Sequence, residues 1–157
     1  MNKNQYITKH EFVDMLTSFS GICKEELLQT GVIESGDLFL ETGEHEPVDL
    51  LLQKEERKKY DSFENDEEIE RRHAARILHN YIRIVLQIKD ESDITKAYLL
   101  KDLFDCRVCA NHIAQVYLKG IMKEVNIDGL IIFDVYGKVT EDDVKYCFDV
   151  ISALKNS

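Results

Sequence analysis

The segment ITKHEF, residues 7–12, contains the helix-capping pattern on which the predicted fold depends. Thr8 can act as an N-cap whose hydroxyl accepts a hydrogen bond from the N–H of Glu11, while the Glu11 carboxylate accepts one from the N–H of Thr8. This reciprocal capping box predicts that a helix begins here. Apolar residues follow at helical spacing, and Gly21 is a typical C-terminal stop. The sequence therefore predicts an amphipathic helix over residues 8–20.

The same pattern recurs in two later segments. Thr140 and Asp143 repeat the spacing of Thr8 and Glu11, whereas Glu70 takes the place of the threonine in the middle copy. An apolar residue precedes each cap. Counted from the cap, the three copies place apolar residues at the same four offsets: Phe12, Met15, Leu16 and Phe19; Ala74, Ile77, Leu78 and Tyr81; Val144, Cys147, Phe148 and Ile151. This register predicts three equivalent helices.

A second kind of unit alternates with the capped helices. ELLQTGVIESGD (26–37) and QVYLKGIMKEVN (115–126) each contain a short apolar helix that ends at a glycine, Gly31 or Gly120, followed by two apolar residues. Glycine suits the left-handed conformation at the end of a helix. A capped helix follows each unit after a loop. Two unit types that alternate in the same order are typical of an internal repeat.

The chain of 157 residues is long enough for one domain, which we predict to be mainly α-helical over residues 1–157. A charged insertion at 41–68 contains the only proline and has blocks of both charge signs, so we expect a solvated segment, partly helical or mobile. Residues 129–139 are predicted to be a strand or an extended loop. The predicted helices cover residues 8–20, 23–30, 68–88, 94–103, 106–119 and 140–154.

Composition disfavours several classes of partner but leaves a local basic patch possible. Hydrophobic residues make up 44% and charged residues 32%, as in ordinary soluble domains. With 20 basic and 30 acidic residues, the net charge of −10 disfavours nucleic acid and anionic lipid surfaces. No apolar run reaches the roughly 20 residues needed to span a bilayer. The N-terminal stretch lacks the apolar segment of a secretory signal, so we expect a cytoplasmic protein unless a signal peptide was removed, in which case the cell envelope.

With both unit types in place, the chain resembles S-layer homology domains. Modules of that family have a short helix ending in Gly-Ile, a loop with an aromatic residue, and a capped helix similar to ITRAEF. Here NHIAQVYLKGIM, Phe133 and VTEDDV cover one module, EELLQTGVI and IERRHAARIL cover a second that contains the insertion, and ITKHEF supplies the capped helix of a third. The resemblance implies a helical repeat domain, a pseudo-threefold prism with short extended loops.

The resemblance also implies a ligand and the residues that contact it. The family binds secondary polymers of bacterial cell walls, and the basic residue after the cap takes part in recognition. Lys9 and Arg71 occupy that position, whereas Glu141 replaces it in the last copy. A cation in the first turn adds to backbone donors that attract an anion. We therefore predict that Lys9 and Arg71 bind the ligand, and that Lys9→Glu and Arg71→Glu weaken binding without unfolding the protein.

The segment DCRVCANH, residues 105–112, has the most reactive side chains. With Asp105 as N-cap, Cys106 would lie in the first turn of a helix, where thiols become more reactive. Buried free thiols are nevertheless the expectation for the cysteines. The alternative is a zinc site, whose candidate ligands are Cys106, Cys109 and His112, with His73, His79 or Cys23 as a distant fourth.

The sequence favours a non-catalytic binding module. It contains no phosphate-binding loop, nucleophile elbow or H-E-x-x-H motif, and no cofactor is implied. The first hypothesis is attachment to an anionic cell-envelope polysaccharide. The second is an intracellular module that binds a protein partner and has lost the sugar site, as Glu141 suggests. The third is a zinc- or thiol-dependent protein that uses the C-x-x-C at residues 106–109.

Overall fold

A computed structural model of the chain describes residues 5–39 and 65–156, so most of the predicted insertion lies outside the described residues. Of its last four positions, Asn65 is buried and residues 66–68 are exposed. The carbonyls of Asn65 and Glu67 accept hydrogen bonds from the amides of His10 and Lys9. The end of the predicted insertion is therefore exposed at residues 66–68 but hydrogen-bonded to the start of the first helix.

The described residues form six α-helices: α1 (Lys9–Ser20), α2 (Lys24–Thr30), α3 (Ser35–Leu38), α4 (Arg71–Asn80), α5 (Ala110–Leu118) and α6 (Glu141–Lys155). Helix α4 continues as a π-helix over Tyr81–Val85, and 3-10 helices cover Thr95–Leu99 and Arg107–Cys109. Strands β1 (Val125–Ile127) and β2 (Leu130–Ile132) pair as an antiparallel hairpin. The predicted mainly α-helical class is confirmed.

Several predicted boundaries change for local reasons. The helix predicted over 68–88 begins only at Arg71, because residues 68 and 70 make extended bridges, and it ends before Gln87, whose φ is +57°. The segment predicted as a helix over 94–103 forms only the short 3-10 helix. Helix α3 was missed, although the Asp37 carboxylate accepts from the N–H of Glu34 at 2.7 Å, three residues before it.

Both predicted capping boxes are present. The hydroxyls of Thr8 and Thr140 accept from the amides three residues later at 3.1 Å, and Glu11 and Asp143 accept from the threonine amides at 2.9 Å. Glu70 at the start of α4 makes no side-chain cap. Each helix therefore begins within one residue of the predicted cap, as local physics requires.

The three segments that precede α1, α4 and α6 pair with one another in a closed cycle. Tyr6 bridges Thr140, Thr8 bridges Glu68, and Glu70 bridges Lys138, each in antiparallel fashion. The amide of Ile7 donates to Val139 at 2.9 Å, and the amide of Ile69 donates to Ile7 at 3.0 Å. Because each segment bridges both others, the starts of the three capped helices lie together.

The three capped helices bury the predicted face. Nine of the twelve residues at the shared offsets are buried, and Met15, Phe19 and Phe148 are partly buried against the same core. Phe19 stacks on Phe148 with ring centroids 4.3 Å apart and meets Tyr81 edge-on at 6.2 Å. One aromatic residue of α1 therefore joins the other two capped helices.

The two glycine-terminated units have the same end geometry. Gly31 and Gly120 both have positive φ, +89° and +76°. The two residues after Gly31 donate to Leu27, and the two after Gly120 donate to Val116, at 2.9–3.3 Å in each case. All four of these apolar residues are buried. The predicted structural role of the two glycines is confirmed.

Candidate functional site

A cleft of about 510 Å³ lies where the first turns of α1 and α4 meet α3 and the segment 106–112. We call it the cationic cleft; it is lined by Lys9, Glu34, Ser35, Gly36, Asp37, Arg72, His73, Arg76, Cys106, Val108, Cys109 and His112. A neighbouring cavity of about 360 Å³ shares Lys9, Arg72 and His73 with it and adds Lys138 together with three acidic residues, Glu67, Glu68 and Glu70. Basic side chains meet in both cavities of a chain whose net charge is −10, although acidic side chains line each cavity as well.

The two first-turn cations are held by different contacts. Lys9 is the first residue of α1, and its Nζ lies 3.7 Å from a carboxylate oxygen of Glu67. Arg72 is the second residue of α4. Its Nε donates to Glu70 at 2.8 Å, and its guanidinium lies over the ring of Tyr136 at 4.7 Å. The stacking orients the planar fork of Arg72, a geometry suited to carboxylate and phosphate groups.

Arg76 lies one turn after Arg72 and is paired within the protein. Its guanidinium donates to both carboxylate oxygens of Asp37, at 3.0 and 2.7 Å, and lies 3.1 Å from Glu34. Burial alone would lower the pKa of Arg76, but the hydrogen bonds and charge of Asp37 outweigh it, so the pKa is raised. Arg76 therefore remains charged and fixes α3 against α4.

His73 lines the cleft, and its pKa is lowered by its surroundings. Burial, followed by the charges of Lys9, Arg72 and Arg76, lowers its pKa to about 4. Its Nδ1 atom is buried and has no hydrogen-bond partner among the described residues. His73 is therefore neutral at pH 7, mainly because it is buried, and the nearby charges of Lys9, Arg72 and Arg76 add to the effect.

A chain of three polar groups, with the buried His79 at its centre, ends at the cleft wall. The Nε2 of His79 lies 2.6 Å from Asp90, and its Nδ1 lies 2.8 Å from the Nδ1 of His112. Because a carboxylate only accepts, the Nε2 of His79 carries the shared proton. Burial, followed by the charge of His79, lowers the pKa of His112 to about 4. The chain holds a neutral His112 imidazole where it can hydrogen-bond to a ligand.

Stability is expected to fall as the pH is lowered from about 7 to about 5. His73 and His112 have folded pKa values of about 4, below the ordinary 6.5, so the unfolded chain binds more protons in this interval. Each histidine contributes up to about 2 kcal/mol before screening by solvent. Urea unfolding at the two pH values measures the loss. In the double variant His73→Asn/His112→Asn, the free energy of unfolding should change less between the two pH values. An equal change in the variant and the unchanged protein would contradict the role of the two histidines.

The structure separates the two predicted ligand residues. Lys9 lies in the cationic cleft, but Arg71 does not line it. Arg71 is 9% exposed; its guanidinium donates to the carbonyls of Phe133 at 2.8 Å and Lys123 at 2.7 Å and lies over the Phe133 ring. Burial lowers the pKa of Arg71. Arg71→Glu would place a carboxylate against two carbonyl oxygens, so we now expect this variant to destabilise the fold.

The first-turn amides do not supply the predicted anion donors. In α1, the amides of Lys9, His10 and Glu11 donate to Glu67, Asn65 and Thr8, respectively. In α4, those of Arg71 and Arg72 donate to the carbonyls of Gly137 and Val135. Since these donors are already paired, attraction of an anion rests on side-chain charge rather than on the helix start.

Sequence reasoning missed Arg72 and Arg76. They stand four residues apart within the predicted helix, so they share a face. That spacing could have indicated them. Their distinction from Arg71 depends on the rotation of α4 about its axis, which the loop at 133–137 determines through its carbonyls.

The C-x-x-C segment differs from the expectation of free thiols. Cys106 and Cys109 form a disulfide, whereas Cys23 is a free exposed thiol and Cys147 a free buried one. Burial raises the pKa of Cys147 to about 12. Cys106, rather than Asp105, takes the N-cap position before the 3-10 helix. Across residues 5–39 and 65–156, no three His, Cys, Asp or Glu side chains come together as metal ligands.

No protein-family model, curated protein or solved structure matches this chain. In the part of the chain that the structure describes, no helix has both the length and the apolar character needed to cross a bilayer.

Proposed function

We propose that this protein is a non-catalytic binding module whose cationic cleft takes an acidic polysaccharide of the bacterial cell envelope. The observation that carries the proposal is the grouping of Lys9, Arg72 and Arg76 around a cavity of about 510 Å³ on an acidic chain. Lys9 and Arg72 each have one carboxylate partner, Glu67 at 3.7 Å and Glu70 at 2.8 Å, respectively. Arg76 is paired with both Asp37 and Glu34, so Lys9 and Arg72 are the two cations proposed to contact the ligand. The neutral imidazoles of His73 and His112 are available for hydroxyl groups of a sugar.

A second cavity provides an internal comparison. A space of about 390 Å³ near the starts of α1 and α6 is lined by Glu11, Asp14 and Glu141 together with uncharged residues. Glu141 stands at the repeat position that Lys9 occupies in α1. Acidic side chains at this junction disfavour an anionic ligand, so binding is assigned to the α1–α4 junction alone.

The closed cycle of pre-helix bridges supports the wider proposal that the domain is a pseudo-threefold prism similar to S-layer homology domains. Three capped helices start from mutually bridged segments and bury equivalent faces. Two glycine-terminated units repeat one pattern of hydrogen bonds. In this proposal Arg71 anchors the loop at 133–137, and the neighbouring Arg72 takes over the predicted contact with the ligand.

Retention on purified anionic cell-wall polysaccharide tests the proposed function. Lys9→Gln and Arg72→Gln are each expected to weaken binding about tenfold, because each removes a charged contact worth about 1.5 kcal/mol. Retention of the unchanged protein should also fall with added salt. Co-sedimentation across a polymer titration gives the affinities.

Two variants outside the cleft serve as matched controls. Lys155→Gln and Arg83→Gln remove the same charges from exposed positions on α6 and on the π-helix that follows α4. Both should bind like the unchanged protein. Circular dichroism spectra of all the variants should match that of the unchanged protein. Equal retention of the Lys9 and Arg72 variants and their controls would reject the cleft as the binding site.

A protein-interaction module is the second candidate, and one observation favours it. Tyr98 and Phe104 are 55% and 58% exposed, and their ring centroids lie 6.0 Å apart. Paired exposed aromatic rings are common at protein interfaces. Failure of the unchanged protein to bind any anionic wall polymer would favour this candidate over polysaccharide binding.

A further inference from the structure

We propose that the Cys106–Cys109 disulfide is a redox-active site that exchanges electrons with low-molecular-weight thiols through the cationic cleft, with Arg72 stabilising the reduced form. Both cysteines line the cleft, together with His112. This assignment concerns the C-x-x-C itself and does not depend on the identity of the polymer ligand.

The position of Arg72 is the first argument. Its Nη1 lies 3.6 Å from the Sγ of Cys106, and stacking on Tyr136 holds the guanidinium in place. A disulfide sulfur carries no charge, so this contact is weak in the oxidised protein. After reduction the same guanidinium faces a thiolate, and a charged pair at this distance stabilises the anion.

The position of the two cysteines in the chain is the second argument. Cys106 precedes the 3-10 helix Arg107–Cys109, which leads directly into α5, while Cys109 lies one turn later. Relative exposure is 8% for Cys106 and 6% for Cys109, yet both border a cavity large enough for a small thiol. The disulfide closes only a short loop, so its reduction leaves the long-range connections of the fold in place.

The exchange balances with two thiol molecules. The thiolate of the first attacks the sulfur of Cys109, which breaks the disulfide, forms a mixed disulfide and releases Cys106 as a thiolate beside Arg72. The thiolate of the second attacks the sulfur of the bound thiol and releases Cys109. Two electrons pass to the protein, and the two small thiols become one disulfide. Of their two protons, one goes to Cys109 and one to solvent.

Reduction also changes the charge of the proposed binding site, a consequence that rests on the proposed function. The Cys106 thiolate adds one negative charge to the cleft and competes with the ligand for Arg72. The oxidised protein is therefore expected to bind anionic polymer more tightly than the reduced protein, by about three- to tenfold for one weakened charged contact.

Equilibration with reduced and oxidised glutathione, followed by thiol trapping and mass analysis, tests the redox site. The unchanged protein should convert between disulfide and dithiol within the range of glutathione ratios while remaining folded. Arg72→Gln should shift the equilibrium about tenfold toward the disulfide, because the reduced form loses its charged partner. Thiolate absorbance of the reduced protein at fixed pH should fall in the same variant.

Two further variants keep the test decisive. Arg72→Lys retains the charge but loses the stacked guanidinium, so its shift should be smaller than that of Arg72→Gln, whereas Arg83→Gln should have no effect. An equilibrium that is the same in Arg72→Gln would overturn the role of Arg72. A disulfide that is reduced only after unfolding would overturn the site itself.

Polymer retention of the oxidised and reduced forms then tests the coupling. The Cys106→Ser/Cys109→Ser variant should bind equally with and without glutathione. If neither form of the unchanged protein binds polymer, the proposed function fails while the redox site stands on the glutathione equilibrium. If both forms bind equally, the coupling fails while the proposed function stands.

Discussion

Replacing Asp37 by alanine is expected to lower the free energy of unfolding by about 3 to 5 kcal/mol. Asp37 is 1% exposed, and its carboxylate accepts two hydrogen bonds from Arg76 and one from the amide of Glu34. Truncation leaves the Arg76 guanidinium, which is 15% exposed, without its main counter-charge. The loss also removes the contact that ties α3 to α4 beside the cleft.

Urea unfolding of Asp37→Ala and of the double variant Asp37→Leu/Arg76→Met measures this effect. The double variant removes both charges, so it should recover much of the stability lost by the single variant. A double-mutant cycle that includes Arg76→Met gives the interaction energy between Asp37 and Arg76. A loss below about 1 kcal/mol in Asp37→Ala would contradict the buried ion pair as a principal contact.

Replacing Asp102 by alanine is expected to cost about 4 kcal/mol, since three amides would lose a charged acceptor. The carboxylate of Asp102 accepts from the amides of Phe133, Asp134 and Val135 at 2.7, 2.8 and 3.0 Å. Asp134 has a φ of +66°, which a residue other than glycine adopts only when its surroundings hold it there. Asp102 therefore maintains the loop at 133–137.

That loop determines which arginine faces the cleft. Its carbonyls accept from the Nε of Arg71 and from the amides of Arg71 and Arg72. Asp102→Ala should consequently weaken polymer retention as well as stability, whereas the exposed neighbour variant Asp105→Ala should change stability by less than about 0.5 kcal/mol. Chemical unfolding and polymer retention of the two variants check both expectations. Equal stability of the two variants would show that the loop does not depend on the carboxylate.

The β1–β2 hairpin was not predicted, although its turn sequence is present in the chain. Residues 129–139 were predicted to be a strand or an extended loop, and β2 occupies the first part of that range. Its partner β1 was not predicted. The turn between them is Asp128-Gly129, with φ of +52° and +85°, a sequence that favours a two-residue hairpin turn. The dipeptide was therefore sufficient to indicate the hairpin.

The sequence alone determined where the capped helices begin and which faces they bury. Capping boxes act between residues three apart, and the apolar register follows from the helical repeat, so neither needs knowledge of distant contacts. The glycine-terminated units were predictable for the same reason. These features account for the confirmed mainly α-helical class.

Only the tertiary structure decided which side chains form the candidate site. Arg71 and Arg72 are adjacent and have the same side chain, but only Arg72 lines the cleft. The carbonyls of residues 123 and 133 hold the Arg71 guanidinium in the interior. The His79–His112 contact likewise depends on how α4 and α5 pack together. Local sequence specifies a helix and its buried face, but long-range hydrogen bonds determine the rotation of that helix about its axis and hence which residues reach the cleft.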